Sequence, residues 1–351
     1  MVWLYGGGFL QGETFGTNAS ALVAESVIRG TPVIYVNFNY RVGPFGFPQG
    51  AEAEAQGALN LGIKDQVVAL QWIKSNIAAF GGDPEKITVF GQSAGSISIA
   101  LLYLNSGLEN IVKSAIMESG FQSTVPMFNA SMREPAWASF VNATPECSGT
   151  GESDTFSCLR RANLSTLVDS FNSVITSGLQ SFPFAPVIDG PGGLIPALPS
   201  DLLAQGKFAR VPFITGTVLD EGATELLEFF AILDRPDATQ LDPSFIATAD
   251  EIFILYPDDP ALGSPFGTGN DTFGLDPEYK RICAITGDLA FQSLRRAWIE
   301  VATAVGVPAF GYIFTDPESV VASEPWLGVS HAYEVPYPAD DELLDILRNV
   351  A

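Results

Sequence analysis

A serine hydroxyl is a poor nucleophile on its own and becomes a good one beside an imidazole that can take its proton. The pentapeptide Gly91-Gln92-Ser93-Ala94-Gly95 offers a serine in a setting that favours such chemistry. The run before it, Ile87-Thr88-Val89-Phe90, has the β-branched and aromatic make-up of a buried strand, and Ile97 to Leu104 after it reads as an apolar helix. Strand, tight turn and helix in that order would lift the Ser93 hydroxyl clear of a sheet. Glycines on either side leave room for the turn, and the positive end of the helix would stabilise negative charge developing next to it. An ordinary strand–helix turn can carry the same five residues, so they count only together with the groups that would act on them.

The chain contains one histidine, His331. A lone histidine is usually a plain surface or core residue, but here it is the one imidazole available as a base for Ser93. It sits in Gly328-Val329-Ser330-His331-Ala332-Tyr333, soon after the last strand-like run, where a loop could carry it over the edge of a sheet. An orienting acid must be chosen from 40 Asp and Glu residues. Glu221 stands out because Asp220-Glu221-Gly222 lies just past the apolar run Pro212–Gly216; Asp220 is the fallback, and a solvated acidic pair is the bland alternative. Acyl transfer also needs backbone N–H donors placed in advance for the oxygen that becomes negative. Tyr5-Gly6-Gly7-Gly8-Phe9 directly follows a strand-like run, and its glycines allow close approach. Gly7 and Gly8, with the amide of Ala94, are the expected donors. The order Ser93, Glu221, His331 is the one that a strand–turn–helix nucleophile of this kind calls for.

To bring these residues together the chain needs a mostly parallel sheet covered on both faces, and its pattern predicts one. Strand-like runs occur at Val2–Tyr5, Val33–Phe38, Ile87–Phe90, Ser114–Met117, Pro212–Gly216 and Ala309–Phe314, alternating with helical patterns. Ile63, Val67, Leu70, Ile73, Ile77 and Phe80 mark one helix face, and a second long helix is expected over Tyr279–Thr303. From about Thr124 to Pro199 the chain is rich in Ser, Pro and Gly, which predicts loops and short helices inserted above the sheet.

At 351 residues and 47% hydrophobic, the chain can bury the core of one large α/β domain, and it is read as a single domain. Its formal net charge of -23 repels phosphate backbones and anionic headgroups, which argues against nucleic-acid and electrostatic membrane partners. No apolar run has the length of a transmembrane helix. Cys147 and Cys158 flank a short Ser/Gly-rich loop and are close enough to be bridged, leaving Cys283 as a buried free thiol. Five Asn-x-Ser/Thr sequons, at Asn18, Asn129, Asn142, Asn163 and Asn270, point with that disulfide to a secreted glycoprotein.

These residues resemble the type-B carboxylesterase/lipase family, the group that includes fungal lipases and cholinesterases. Phe80-Gly81-Gly82-Asp83-Pro84 through Gly95 looks like its serine signature. Asn37–Val42, Leu61–Gln66 and Ile116-Met117-Glu118-Ser119-Gly120 are similar to its flanking motifs, and Gly287–Phe291 with Arg295-Arg296 looks closest to the fungal members. The resemblance implies an α/β-hydrolase fold, a triad of Ser93, Glu221 and His331, an oxyanion hole of Gly7, Gly8 and Ala94, and hydrolysis of carboxylic esters without a cofactor. A non-catalytic adhesion or scaffold protein on the same fold and a truncated pseudoenzyme are the rival readings. Gln92 stands where many members carry Glu. The resemblance also implies family segments before Met1 and after the histidine region, the first bearing a signal peptide and cysteines. On that reading the chain is incomplete at both ends. Val2–Tyr5 would lie inside the sheet beside uncovered apolar surface, and an amphipathic helix over Asp341–Leu347 would lack its packing partners, so that weak expression and weak activity are expected of the chain.

Overall fold

The computed structural model describes residues 1–105, 107–151, 154–178, 182–223 and 251–335. Six strands form one sheet: β1 Val2–Leu4, β2 Val36–Asn37, β3 Thr88–Gln92, β4 Ser114–Glu118, β5 Phe213–Val218 and β6 Ala309–Phe314. Their spatial order is β2-β1-β3-β4-β5-β6, and every neighbouring pair is parallel. Each apolar run singled out above supplies one strand. The run Val33–Phe38 contributes least, because it pairs on the outside of a three-residue β1 that has few groups to offer.

Alternation along the strands sends successive side chains to opposite faces. Val2, Leu4, Val89, Ala115, Met117 and Phe213 enter one large core, shared with Ile63, Leu70 and Ile73 of the helix Leu61–Asn76, Ile97 of the helix Ala94–Leu102 and Trp298 of the helix Ser293–Ala304. Trp3 and Phe90, one residue out of phase, turn the other way and meet Tyr40 and Leu22 of the helix Ser20–Ile28. β3 is buried along most of its length, as a central parallel strand must be. β1 lies between β2 and β3, so the loop that leaves it opens beside the end of β3. The registers Leu4 with Gly91 and Gln92 with Glu118 fix that neighbourhood. On the far side, β6 presents Phe310 and Ile313 as exposed apolar side chains.

The expected long helix is two helices, Glu278–Gly287 and Ser293–Ala304, joined through a π-helical turn at Asp288–Gln292. The extra residue of a π turn shifts which side chains face the core, and such turns recur at functional sites. The inserted region holds the helices Glu134–Ala143, Thr155–Leu159 and Leu164–Thr176. The last is a regular amphipathic helix that the sequence reading passed over, although Leu167, Phe171 and Val174 repeat at helical spacing. The Asp341–Leu347 segment lies outside the described residues.

Cys147 and Cys158 form a disulfide, and Cys283 is a buried thiol. The bridge spans a sequence separation of 11, and removing it frees a short loop in the unfolded chain. Replacing both cysteines by serine is therefore expected to cost roughly 3 kcal/mol of stability, read as a lower midpoint in urea. Burial pushes the Cys283 thiol up to about 12, so iodoacetamide should modify it only after unfolding. Labelling of native protein at Cys283, or an unchanged midpoint in the double variant, would contradict this account.

Candidate active site

β3 ends at Gln92 and the next helix begins at Ala94, leaving one residue to make the whole turn. That residue is Ser93, at φ 55° and ψ −126°. A side chain in this region is strained and persists only where its surroundings hold it. Here the Ser93 N–H donates to Glu118 O at 2.9 Å and Ile97 N–H donates to Ser93 O at 2.8 Å. The flanking glycines are needed for packing. A Cβ on Gly91 would lie 2.6 Å from Leu4 O, and one on Gly95 only 2.0 Å from the same oxygen. A Cβ on Gly120 would lie 2.6 Å from Ser93 O. Absent side chains thus let β1, the turn and the end of β4 touch backbone to backbone. Ser93 itself is half-buried, in the middle of a buried run.

The loop after β1 closes over the same spot. Gly7 and Gly8 have φ of 107° and 62°, and the Gly7 carbonyl accepts from Leu10 N–H and Gln11 N–H at 3.0 and 3.2 Å, which folds the loop back on itself. A Cβ on Gly6 would stand 2.9 Å from the Ser93 Cβ, so the loop runs directly against the serine. Its base is held by a reciprocal pair. Tyr5 Oη donates to Tyr40 O at 3.0 Å and Tyr40 Oη donates to Tyr5 O at 2.8 Å, with the rings stacked at 4.4 Å. The first N–H groups of the helix Ala94–Leu102 have no partner within the helix, and that of Ala94 is the one nearest Ser93 in sequence.

His331 and Glu221 meet at 2.7 Å, Nδ1 donating to Oε2, with Glu221 about 1% exposed. The second Glu221 oxygen accepts from Val218 N–H at 3.0 Å, which ties the acid to the end of β5. With its proton on Nδ1, the ring offers Nε2 as an acceptor, and Gln92 Nε2 donates to it at 3.2 Å. Phe291, carried on the π turn, packs against the imidazole with ring centroids 5.2 Å apart. Asp220, the fallback acid, does different work. Its Oδ1 accepts from Ser264 Oγ at 2.8 Å and Phe266 N–H at 2.9 Å, and its Oδ2 from Val329 N–H at 2.9 Å. It clamps the segment before His331 to the loop at 264–266. Burial raises the Asp220 pKa, and those three hydrogen bonds work against the rise. Asp220→Ala should therefore lower stability by about 2–4 kcal/mol, since it leaves buried donors unpaired. A thermal unfolding midpoint equal to that of the wild type would refute the clamp.

The chain thus brings Ser93, the Gly7–Gly8 loop, the N–H end of the following helix, Glu221 and His331 to the ends of β1, β3 and β5. Tyr40 and Phe291 entered the sequence reading only within the motifs Asn37–Val42 and Gly287–Phe291, with no role at the site, and the clamping role of Asp220 was absent from it. Among the described residues no group of three or more His, Cys, Asp or Glu side chains could hold a metal, and no helix is long and apolar enough to cross a membrane.

A parallel sheet whose third strand runs through a strained serine turn into a helix is the architecture of the α/β-hydrolases. Residues 1–346 match the model of the carboxylesterase family, and the chain belongs to that family. It is 35% identical to Lipase 2 of Geotrichum candidum over 95% of this chain and 61% of that protein. Secreted lipase 1 of Botryotinia fuckeliana is 36% identical over 95% of this chain and 60% of its own length. Among solved structures, EstA of Aspergillus niger superposes with a TM-score of 0.75 at 28% identity, covering 95% of this chain and 63% of that one. The chain therefore spans about three fifths of the curated relatives that it matches.

Proposed function

We propose that this chain is a serine hydrolase of carboxylic esters, with Ser93 as nucleophile, His331 as base, Glu221 as orienting acid and the amides of Gly7, Gly8 and Ala94 as the oxyanion hole. The observation that carries the reading is the 2.7 Å contact between His331 Nδ1 and a buried Glu221, on the side of the sheet where Ser93 is held at positive φ. Buried carboxylate against Nδ1–H fixes the tautomer in which Nε2 is the basic nitrogen that can take a proton. In the first half-reaction Ser93 Oγ bonds to the ester carbonyl carbon as its proton passes to His331 Nε2. The negative carbonyl oxygen is met by the amides, and His331 returns the proton to the departing alcohol. In the second, a water gives its proton to His331, attacks the acyl carbon and releases the acid, and Ser93 regains a proton. No cofactor enters either step. Family membership supports the ester class, and the names of the lipase relatives extend it to lipid esters.

An extracellular location is part of the proposal. It rests on the Cys147–Cys158 disulfide, on the exposed sequon asparagines and on the secreted fungal relatives. Hydrolysis of p-nitrophenyl acetate and of longer-chain p-nitrophenyl esters tests the activity, and an organophosphate label tests the nucleophile. Turnover in both series with the label on Ser93 is expected. A label on another serine, or none of these esters being cleaved by folded protein, would overturn the reading.

A further inference from the structure

Behind the imidazole lies a buried group of charges that the proton transfer itself does not use. Glu118 closes β4, opposite Gln92 on β3 and Gly216 on β5. Glu334 stands three residues past His331. Both side chains are about 1% exposed, and each has one oxygen, Oε2, buried without a hydrogen-bond partner. The other oxygen of Glu334 accepts from Ser119 Oγ at 3.2 Å. Ser119 is held at φ 55°, with its N–H donating to Gly216 O at 2.9 Å. Ser119 and Glu334 therefore join the end of β4, which also receives the Ser93 N–H, to the turn that carries His331.

The groups facing this pair come from every element around it. Glu221 approaches from the end of β5. Tyr312 approaches from β6, its ring lying across Gly216 at 2.0 Å from where a Cβ would stand. Arg295 of the helix Ser293–Ala304 donates to Thr217 Oγ1 at 2.7 Å and to Tyr312 O at 2.5 Å. Three carboxyls thus share the site with one guanidinium and the His331 ring. Arg295 carries the one fixed positive charge there, since His331 serves as a neutral base, so three ionised carboxylates would be buried without full compensation. Like charges in one buried site force a proton onto one of them. Burial, then the charge of Glu334, pushes Glu118 up to about 8. Burial, then the charge of Glu221, pushes Glu334 up to about 7, with His331 and Ser119 pulling it back.

We propose that Glu118 and Glu334 together hold one proton at neutral pH and act as positioning residues: the protonated pair keeps the His331 turn docked on the end of β4, and loss of the proton to solvent loosens it. The consequence for turnover rests on the ester-hydrolase reading above; the proton does not. For stability the sign is fixed. Glu118 is raised in the folded state from its ordinary 4.5 to about 8. Its favourable contribution is complete below 4.5 and disappears as pH rises through about 8.

Infrared titration of the whole chain in deuterated buffer tests the proton directly. At neutral pH exposed carboxyls are ionised, so the carbonyl stretch of a protonated carboxyl should stand out in the wild type and vanish as pH rises through about 8. Glu118→Gln and Glu334→Gln should each move the change to lower pH, since each removes a like-charged neighbour, and the double variant should abolish it. On p-nitrophenyl acetate, wild-type kcat/KM should fall across the same step. The double Gln variant, neutral at both positions at all pH, should lose the fall. A wild type without the band, or a band or an alkaline fall that survives unchanged in the double variant, would overturn the pair. A titrating band in a chain that cleaves no ester would retain the pair and retire the hydrolase reading; ester turnover without the band would do the reverse.

Discussion

Ser93→Ala and His331→Ala should each reduce kcat for ester hydrolysis by roughly 10⁶-fold, and the double variant should be little worse than either alone. The reason is the interdependence of the two groups. The serine hydroxyl acquires nucleophilic character only as His331 Nε2 takes its proton, so deleting either group ends the same step. Residual turnover over the background should persist, because the Gly7–Gly8 loop and the N–H end of the helix Ala94–Leu102 are untouched by either change. Glu221→Gln should cost less, roughly 10⁴-fold. The amide keeps the shape but can favour the wrong tautomer of His331, now held at 2.7 Å by an acceptor-only carboxylate. All three variants should fold, which circular dichroism and unchanged protease resistance would establish before rates are compared. Near-normal turnover in Ser93→Ala, or multiplicative losses in the double variant, would exclude a Ser93–His331 unit.

The strands were legible in the sequence because parallel sheets bury both faces. Val2 to Leu4, Val89 to Phe90 and Phe213 to Ile214 read as apolar runs with no competing period. The serine turn was legible too, because its glycines are forced by close backbone contacts, which only Gly permits. What remained hidden depends on tertiary proximity alone. Asp220 and Glu221 are adjacent carboxylates with opposite assignments, one clamping Val329 and the loop at 264–266, the other reaching His331. Nothing local distinguishes them. The π turn at Asp288–Gln292 adds one residue to an otherwise regular amphipathic pattern, and it brings Phe291 under the imidazole. Glu118 was named only within the motif Ile116–Gly120; the register of β4 between β3 and β5 reveals that it is buried. Exposed apolar side chains stand on both flanks of the sheet, at Val27 and Ile28 of the helix Ser20–Ile28 beside β1 and at Phe310 and Ile313 on β6.

Gly95→Ala should be among the most damaging single-methyl changes outside the reacting groups. Its Cβ would lie 2.0 Å from Leu4 O, 2.7 Å from Leu4 C and 2.9 Å from Tyr5 O, all backbone atoms. No side chain can rotate away, so β1 and the helix Ala94–Leu102 must separate. Over-packing of this kind costs about 1–3 kcal/mol, and here the displacement is directed at the catalytic geometry. β1 carries the Gly6–Gly8 loop, while residue 95 carries the first turn of the helix, so the loop donors and the Ala94 amide move apart from each other. A misplacement of about 1 Å is enough for a loss of roughly 10²-fold in rate. The expected variant therefore has a lowered thermal midpoint and a kcat/KM down by at least that factor, with the decrease in kcat rather than KM. Gly151→Ala is the matched control. A Cβ there meets nothing within 4 Å, and its φ lies outside the left-handed region, so both midpoint and turnover should stay at wild-type values. Equal behaviour of Gly95→Ala and Gly151→Ala would show that contact between β1 and the serine turn does not set the oxyanion geometry, and the donors would have to be sought elsewhere.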